Sequence, residues 1–436
     1  MYRGKVQGGL YGLVIALLGG SFGLFLWALL RAPIEIWDLL AVGILGLMVV
    51  HTWYIFGLLL FGQVRRRTYP EYAEERIAVL VPCFNEDWPL LERSLDSVAD
   101  ARGNKEIVII DDGSTNGVGQ SLVAWTEQHG ATLYSLSQNR GKREALHHAV
   151  KRLSDDVQFV VTIDSDTVLD RNALVRIVEP LKVSGIAAST GDVRLLNERD
   201  NLLTHVVGAY YWVGLNIYKL AQSAIGSVVC CSGCLAAYRA DVLIGLIDEF
   251  HAQRFLGRAC THSEDRHLTN LVLRGGGDVV YVPLAVAHTE TPDRLGAFVR
   301  QQTRWKRGFI RESIYTLTHA WRHKRMLFAQ VLLWDLPEPF LTFGLRLAVV
   351  GLLVTDPHFF LIAILPSWIL VSAVRNVFLV VASPKRIPGL LGYMLLYESL
   401  LYWLNIWALF TVRNSGWLTR GAEGVEQRLQ ASSAVI

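Results

Sequence analysis

Residues 8–30 carry no charged side chain; the apolar run extends unbroken from Lys5 to Arg31. A second run at about 39–61 has no Asp, Glu, Lys or Arg either. A helix that is apolar on every face must be buried on every face, in a large core or in lipid, and about 20 such residues cross a bilayer. The first run is long for a signal peptide and shows no cleavage site, and a second follows it. The pair therefore predicts a transmembrane hairpin over 1–67. Arg3 and Lys5 precede the hairpin and Arg65-Arg66-Arg67 follow it, which places both ends, and the domain after them, in the cytosol. Further apolar segments lie at about 327–354, 357–381 and 388–412. The first of these is broken by Trp334-Asp335-Leu336-Pro337-Glu338-Pro339, either a functional intramembrane turn or one at headgroup level. Three full crossings would leave Arg413 and Arg420 outside, against their charge, so one segment is expected to be re-entrant or interfacial.

Composition agrees. Of 436 residues, 52% are hydrophobic, above the roughly 45–50% usual in soluble chains. The net charge of +3 is small and not massed in one run, which argues against a nucleic-acid partner. Five cysteines in a chain of this length do not form a disulfide framework and fit a reduced, cytosol-facing domain.

Between the apolar ends, about 76–310 alternates short β-branched runs with helical patterns. Ile77–Pro82, Glu106–Asp112 and Val157–Asp164 read as strands, Leu90–Ala99 and Arg143–Leu153 as helices. This predicts an α/β domain with a mainly parallel sheet covered on both faces. Ligands of such sheets bind beyond the carboxyl ends of the strands, where Asp112 and Asp164-Ser165-Asp166 fall. Asp164-x-Asp166 offers hard oxygen ligands for Mg²⁺ or Mn²⁺, leaving room for waters and a diphosphate; by itself it also fits a strand-to-helix cap. Asp112-Gly113-Ser114 suits a nucleotide contact or a simple Asx turn. Asn139-Arg140-Gly141-Lys142-Arg143 opens a helix with cations suited to phosphate, or is a solvated helix start.

Asp265, three to four residues ahead of a helical pattern, is placed to take a proton from an acceptor hydroxyl, or to cap the helix or pair with Arg266. Arg304 can grip phosphate oxygens in bidentate fashion, and Trp305 offers a flat face to a sugar or anchors an interface. Cys231-x-x-Cys234 has no second spaced pair, which argues against a structural zinc. After Trp305, the cations Lys306, Arg307, Arg311, Arg322, Lys324 and Arg325 lie among aromatics, predicting interfacial helices over 311–340. The region 341–420 would form the C-terminal membrane helices, and 421–436 a mobile tail.

As a set, Pro82-Cys83-Phe84-Asn85-Glu86, Asp111-Asp112-Gly113-Ser114, Asn139-x-Gly141-Lys142-Arg143, Asp164-Ser165-Asp166, Cys231-Ser232-Gly233, Glu264-Asp265-Arg266 and Gln301-x-x-Arg304-Trp305 resemble the family-2 processive glycosyltransferases. Among these the chain is most similar to class I hyaluronan synthases and nodulation-type chitooligosaccharide synthases. The resemblance covers about 76–310, with a fainter echo in Trp417-Leu418-Thr419-Arg420. It implies a GT-A fold, UDP-sugar donors, a Mg²⁺ or Mn²⁺ cofactor and inversion at the anomeric carbon. It also implies a multi-pass plasma-membrane enzyme that secretes its growing polysaccharide among membrane lipids, with no protein partner needed. Carried onto this chain, Asp112 contacts the uridine, Asp164 and Asp166 the metal and diphosphate, and Lys142 the donor. Asp265, beside Glu264, is the general base. Gln301, Arg304 and Trp305 hold the diphosphate and acceptor end, and Cys231, Ser232 and Gly233 line the acceptor site.

A hyaluronan-type polymer is the first expectation, and a chitooligosaccharide the alternative. Ser263-Glu264-Asp265-Arg266 follows the Glu-Asp of the chitooligosaccharide enzymes, which need UDP-N-acetylglucosamine alone. Thr289-Glu290-Thr291-Pro292 and Gln301-Gln302-Thr303-Arg304-Trp305 are hyaluronan-like, which adds UDP-glucuronate. A third possibility, a membrane scaffold that binds polysaccharide without turnover, would have no need of Asp112, Asp164, Asp166, Asp265 and Trp305 together.

Overall fold

The computed structural model describes residues 35–64 and 67–414, with scattered positions between 12 and 30. The first apolar run lies largely, and Trp417–Arg420 and the 421–436 tail entirely, outside the described residues.

Eight strands form one sheet in the order β3-β2-β1-β4-β7-β6-β10-β5. They are β1 (Ile77–Cys83), β2 (Lys105–Asp111), β3 (Thr132–Ser135), β4 (Phe159–Thr162), β5 (Val168–Leu169), β6 (Ile186–Leu195), β7 (Ala236–Arg239) and β10 (Asp278–Thr289). A separate ribbon pairs β8 (Arg254–Phe255) with β9 (Arg258–Ala259). The expected continuous apolar strands have a plain cause. Ala78, Leu80, Val108 and Ile110 pack into one core, while Ile77, Val79, Val81, Ile107 and Ile109 pack into another on the opposite face. Successive side chains alternate between faces, and both faces are covered, so every position is apolar.

The sheet is mainly parallel, as expected, with two strands reversed. β3, β2, β1 and β4 run parallel, as do β6 and β10; β7 is antiparallel to both β4 and β6, and β5 to β10. Strand direction depends on the connection, and β7 enters only after the long excursion through 196–235.

The helices that position the site are α1 (Ile36–Val64), α2 (Lys142–Val150), α3 (Leu202–Val213), α4 (Ala240–His251), α5 (Glu264–Arg274), α6 (Leu295–His323), α7 (Glu338–Thr355), α8 (Ile387–Leu396) and α9 (Tyr402–Phe410). Among the described residues two helices are long and apolar enough to cross a membrane, Ile36–Gln63 and Arg325–Thr355. The second contains the break expected from its prolines, a π-turn at Val331–Asp335 followed by Pro337. α1 and α7 pack together, and a side chain at Gly351 would overlap the Trp37 indole. Small residues permit such close helix approach.

The amphipathic stretch after Trp305 belongs to one continuous 29-residue helix, α6, which runs through position 310. It packs against α5 on one side and α9 on the other. Its inward face buries Glu312 completely. Arg311 Nε donates to Glu312 Oε1 (3.1 Å), Gln253 Nε2 to the same oxygen (2.7 Å) and Asn270 Nδ2 to Oε2 (3.2 Å). His267 Nδ1 lies 3.0 Å from Oε2; a carboxylate only accepts, so that nitrogen carries the proton. Burial alone would raise Glu312, yet these donors and Arg311 hold it at about 2. Burial also pushes His267 below its usual value, against the pull of Glu312.

Glu312→Ala should cost about 3–5 kcal/mol, the usual penalty for leaving a buried partner unpaired, read as a lower unfolding midpoint in detergent at neutral pH. The depressed carboxyl contributes stability above its ordinary 4.5 and loses it as the pH falls toward 2. The deficit should therefore narrow below 4.5; a constant gap would mean the pair carries no charge-dependent stability.

Candidate active site

β2 ends at Asp111, and the Asp112 amide still donates to the Cys83 carbonyl at 2.9 Å. Asp112 is buried, and its carboxylate accepts from the amides of Arg140 (2.8 Å) and Gly141 (2.7 Å). This clips the loop after β2 to the start of α2. Gly113 is required at the crossing: its φ is 74°, and a Cβ there would meet the 138–139 backbone at 2.5–2.7 Å. Burial pushes Asp112 up to about 6, against the pull of the two amides.

Beyond β4, Ser165 Oγ donates to Glu86 Oε1 at 2.8 Å. Glu86 thus anchors the Asp164–Asp166 turn, a role that the sequence motif around Cys83 did not suggest. Thr289 Oγ1 lies 3.5 Å from Asp166 Oδ1. Lys142, the first residue of α2, forms an ion pair with Asp164 and approaches Glu264 Oε1 at 3.7 Å. Burial would favour the neutral forms, but the charges prevail. Lys142 is raised by Asp164 and then Glu264, and Asp164 is lowered by Lys142. The Arg304 guanidinium adds to the positive field on Asp164.

Asp265 sits in the first turn of α5 rather than ahead of the helix, after Ser263 in a left-handed conformation (φ 62°). Its Oδ1 accepts from the Arg266 amide (2.7 Å), and Cys230 Sγ donates to Oδ2 (3.4 Å). Burial first, and the Glu264 carboxylate second, hold Asp265 above the usual carboxylate range. The Arg266 side chain points away, donating to Ser313 Oγ and lying over the Phe309 ring.

Gln301, Arg304 and Trp305 project from α6. The Gln301 Oε1 is buried with no protein hydrogen-bond partner. Trp305 is 36% exposed, its ring tilted 48° to that of Tyr211. Gly233 approaches the ion pair so closely that a Cβ would lie 2.8 Å from Lys142 Nζ and 3.0 Å from Asp164 Oδ2. Cys231, expected along the acceptor site, is fully buried in the core, its amide donating to Thr269 Oγ1. Cys230 and Cys234 face the interior space instead. Glu86, Tyr211 and Cys230 are the residues the sequence reading missed.

Apart from Cys231, all the expected site residues line one cavity of about 2710 Å³. Ordinary ligand pockets are about 300–1,000 Å³. The same cavity continues among the helices past Trp334, Arg346, Tyr397 and Asn405. The donor set at its sheet end, Asp164 and Asp166 with the buried and unpartnered Glu264 Oε2 nearby, fits a hard divalent cation.

Lys142→Met would leave the buried Glu264 and the half-buried Asp164 without their cation, at a cost of about 1–3 kcal/mol. The pair stabilises the fold between the ordinary values of Asp164 (3.8) and Lys142 (10.5). The loss in unfolding midpoint should be greatest near neutrality and shrink as the pH falls below 3.8; equal stability at pH 7 would refute the pairing.

Residues 74–308 match the family described as glycosyltransferase like family 2. The N-acetylglucosaminyltransferase of Neorhizobium galegae is 33% identical over 371 residues, covering 83% of this chain and 84% of the relative. That of Rhizobium leguminosarum bv. viciae is 32% identical over 359 residues, 80% and 82% of the two chains. The mannosyltransferase PcManGT from Pyrobaculum calidifontis, solved with GDP-Man and Mn²⁺, superposes with a TM-score of 0.56 at 20% identity, covering 84% of this chain and 99% of that one. The matched segment contains the whole eight-stranded sheet and its strand-end carboxylates, and the chain is a glycosyltransferase of family 2 with a GT-A-like mixed α/β fold.

Proposed function

We propose that the enzyme transfers N-acetylglucosamine from UDP-N-acetylglucosamine, with inversion, onto a growing β-linked polysaccharide that it passes into the space between its own helices. The observation that carries this reading is the single cavity running from the strand-end carboxylates to Tyr397 and Asn405. It is several times larger than a donor needs, and it leads away from the sheet. The names of the relatives support the donor.

In this reading Asp112 and the α2 start receive the nucleotide, and Asp164 and Asp166 hold Mg²⁺ or Mn²⁺. The bound cation would neutralise diphosphate charge. Lys142 keeps Asp164 ionised, and Arg304 adds a guanidinium for the diphosphate oxygens. Trp305 supplies an apolar face to the acceptor sugar, Gln301 Oε1 accepts from a sugar hydroxyl, and Ser232 and Gly233 border the acceptor end. Asp265 takes the proton from the acceptor hydroxyl as that oxygen bonds to the anomeric carbon and UDP departs from the opposite face. Its raised affinity for protons suits a general base.

The catalytic domain is proposed to face the cytosol of a multi-pass membrane enzyme. The two long apolar helices support this, as does the outward face of the helical region, where Phe410, Val354 and Leu333 are 63–83% exposed. Such a surface suits lipid. A two-sugar, hyaluronan-type product is the alternative, because Thr289-Glu290-Thr291-Pro292 also line the cavity.

The test is UDP release by detergent-purified enzyme with Mg²⁺ or Mn²⁺ and UDP-sugars offered singly and in pairs. Polymer from UDP-N-acetylglucosamine alone is expected. A requirement for UDP-glucuronate as well would establish the alternative, and silence with every donor would leave a binding scaffold. Asp265→Asn should lower kcat by about 10²–10⁴-fold, the usual share of general-base catalysis, while donor affinity holds; retained turnover would remove Asp265 from that role.

A further inference from the structure

At another part of the cavity wall, which Glu144 and His251 line, two helices each place a carboxylate and an imidazole three residues apart. Glu144 and His147 lie on α2, Asp248 and His251 on α4. Residues at that spacing share a helix face, and α2 and α4 pack together. The four side chains cross-pair: His251 Nε2 meets Glu144 Oε2, and His147 Nε2 lies 3.0 Å from Asp248 Oδ1. The two imidazoles stack between these pairs with ring centroids 4.4 Å apart. Ligand atoms of Glu144, His147 and His251 all fall within 4.8 Å of one another.

We propose that Glu144, His147 and His251 bind one divalent transition metal of the zinc class. Two imidazole nitrogens and a carboxylate oxygen are the donors that Zn²⁺, Co²⁺ or Ni²⁺ prefer, whereas Mg²⁺ seeks oxygen alone. The site is therefore chemically distinct from the Asp164/Asp166 pair. The supporting contacts are those that orient metal ligands elsewhere. Asp248 accepts from one nitrogen of His147, and its other oxygen is held by Lys151 at 2.7 Å. The second oxygen of Glu144 lies 3.8 Å from Arg140. His251 closes the last turn of α4, where the helix dipole favours a cation. With the group at the protein surface, water completes the coordination. Because α2 begins at Lys142, the ion fastens the helix carrying the donor-site lysine to α4. Arg143 already reaches the same place, hydrogen-bonding to the Phe250 carbonyl and lying over its ring.

The experiment uses untagged full-length enzyme in detergent, stripped with chelator and titrated with Co²⁺ while its visible d–d absorption is followed. One saturable equivalent is expected, and Zn²⁺ should displace it and raise the unfolding midpoint. His147→Gln and His251→Gln should each weaken binding at least tenfold and abolish the Zn²⁺-induced rise. Asp166→Asn should leave the Co²⁺ spectrum intact. Glu144→Gln, which preserves side-chain shape, guards against a folding defect in either histidine variant, and it too should weaken binding. Histidine variants that bind like the parent, loss of the signal in Asp166→Asn, or affinity weaker than ~1 mM would each overturn the proposal and leave two imidazole–carboxylate ion pairs in its place.

Discussion

The Lys142 ammonium, enclosed by the Asp164 and Glu264 carboxylates, is the contact on which the rest of the site depends. Three distant parts of the chain meet there: the start of α2, the turn after β4 and the first turn of α5. A largely enclosed cation among acids is held by close contacts, and Gly233 lets the backbone approach it. The same charge settles the neighbours. Asp164 is kept ionised while Asp265, one residue beyond Glu264, is pushed the other way by burial and by Glu264. Two carboxyl groups in one cavity are thus driven apart in acidity, which separates a group suited to binding cations from one suited to taking protons.

A second constraint comes from α6. It carries Gln301, Arg304 and Trp305 into the cavity, locks onto α5 through Glu312, and leans on α9 through Lys306 with Asn405 and Arg307 with Thr411. Asp265, the general-base candidate, and Trp305, the candidate acceptor platform, are therefore parts of one packed unit. α3 repeats this arrangement on another side, where Tyr210 stacks on Tyr393 of α8 and Glu198 pairs with Arg386. The sheet domain and the helices that follow it are thus joined by specific polar and aromatic contacts as well as by the chain itself.

Much of this was legible in the sequence where a local rule has a local cause. The β-branched runs at 77–82 and 106–112 follow from burial on both faces, and the acids that close strands fall where α/β sheets expose ligands. The break at Pro337 follows from a missing amide and a fixed φ. What escaped depended on contacts distant in the chain. No pattern within Ala236–Arg239 encodes its antiparallel direction, and nothing in Cys230-Cys231-Ser232 reveals which thiol turns into the core. Glu86 stood in a noted motif, yet its work is done 79 residues away, at Ser165. The helix start at Glu264 was missed because Ser263 enters it in a left-handed conformation, which sequence rarely signals.

The polar residues within the helical region bear on the proposed passage of polymer. Glu338 accepts from Tyr397 at 2.7 Å, and Arg346 pairs with Glu398 and lies over the Tyr402 ring. Arg346, Tyr397, Glu398 and Asn405 all border the cavity, while Phe410, Val354 and Leu333 face outward. Ionisable groups placed in lipid carry a heavy desolvation cost and gather where water or a polar substrate can reach them. A polysaccharide presents hydroxyls at its edges and apolar ring faces, and Trp305, Trp334 and Tyr397 interleaved with these polar groups answer both. Leu341, Leu345, Val349 and Leu390 line the same stretch, so the wall alternates polar groups with apolar ones, as the two kinds of surface on a sugar chain would require of the proposed passage.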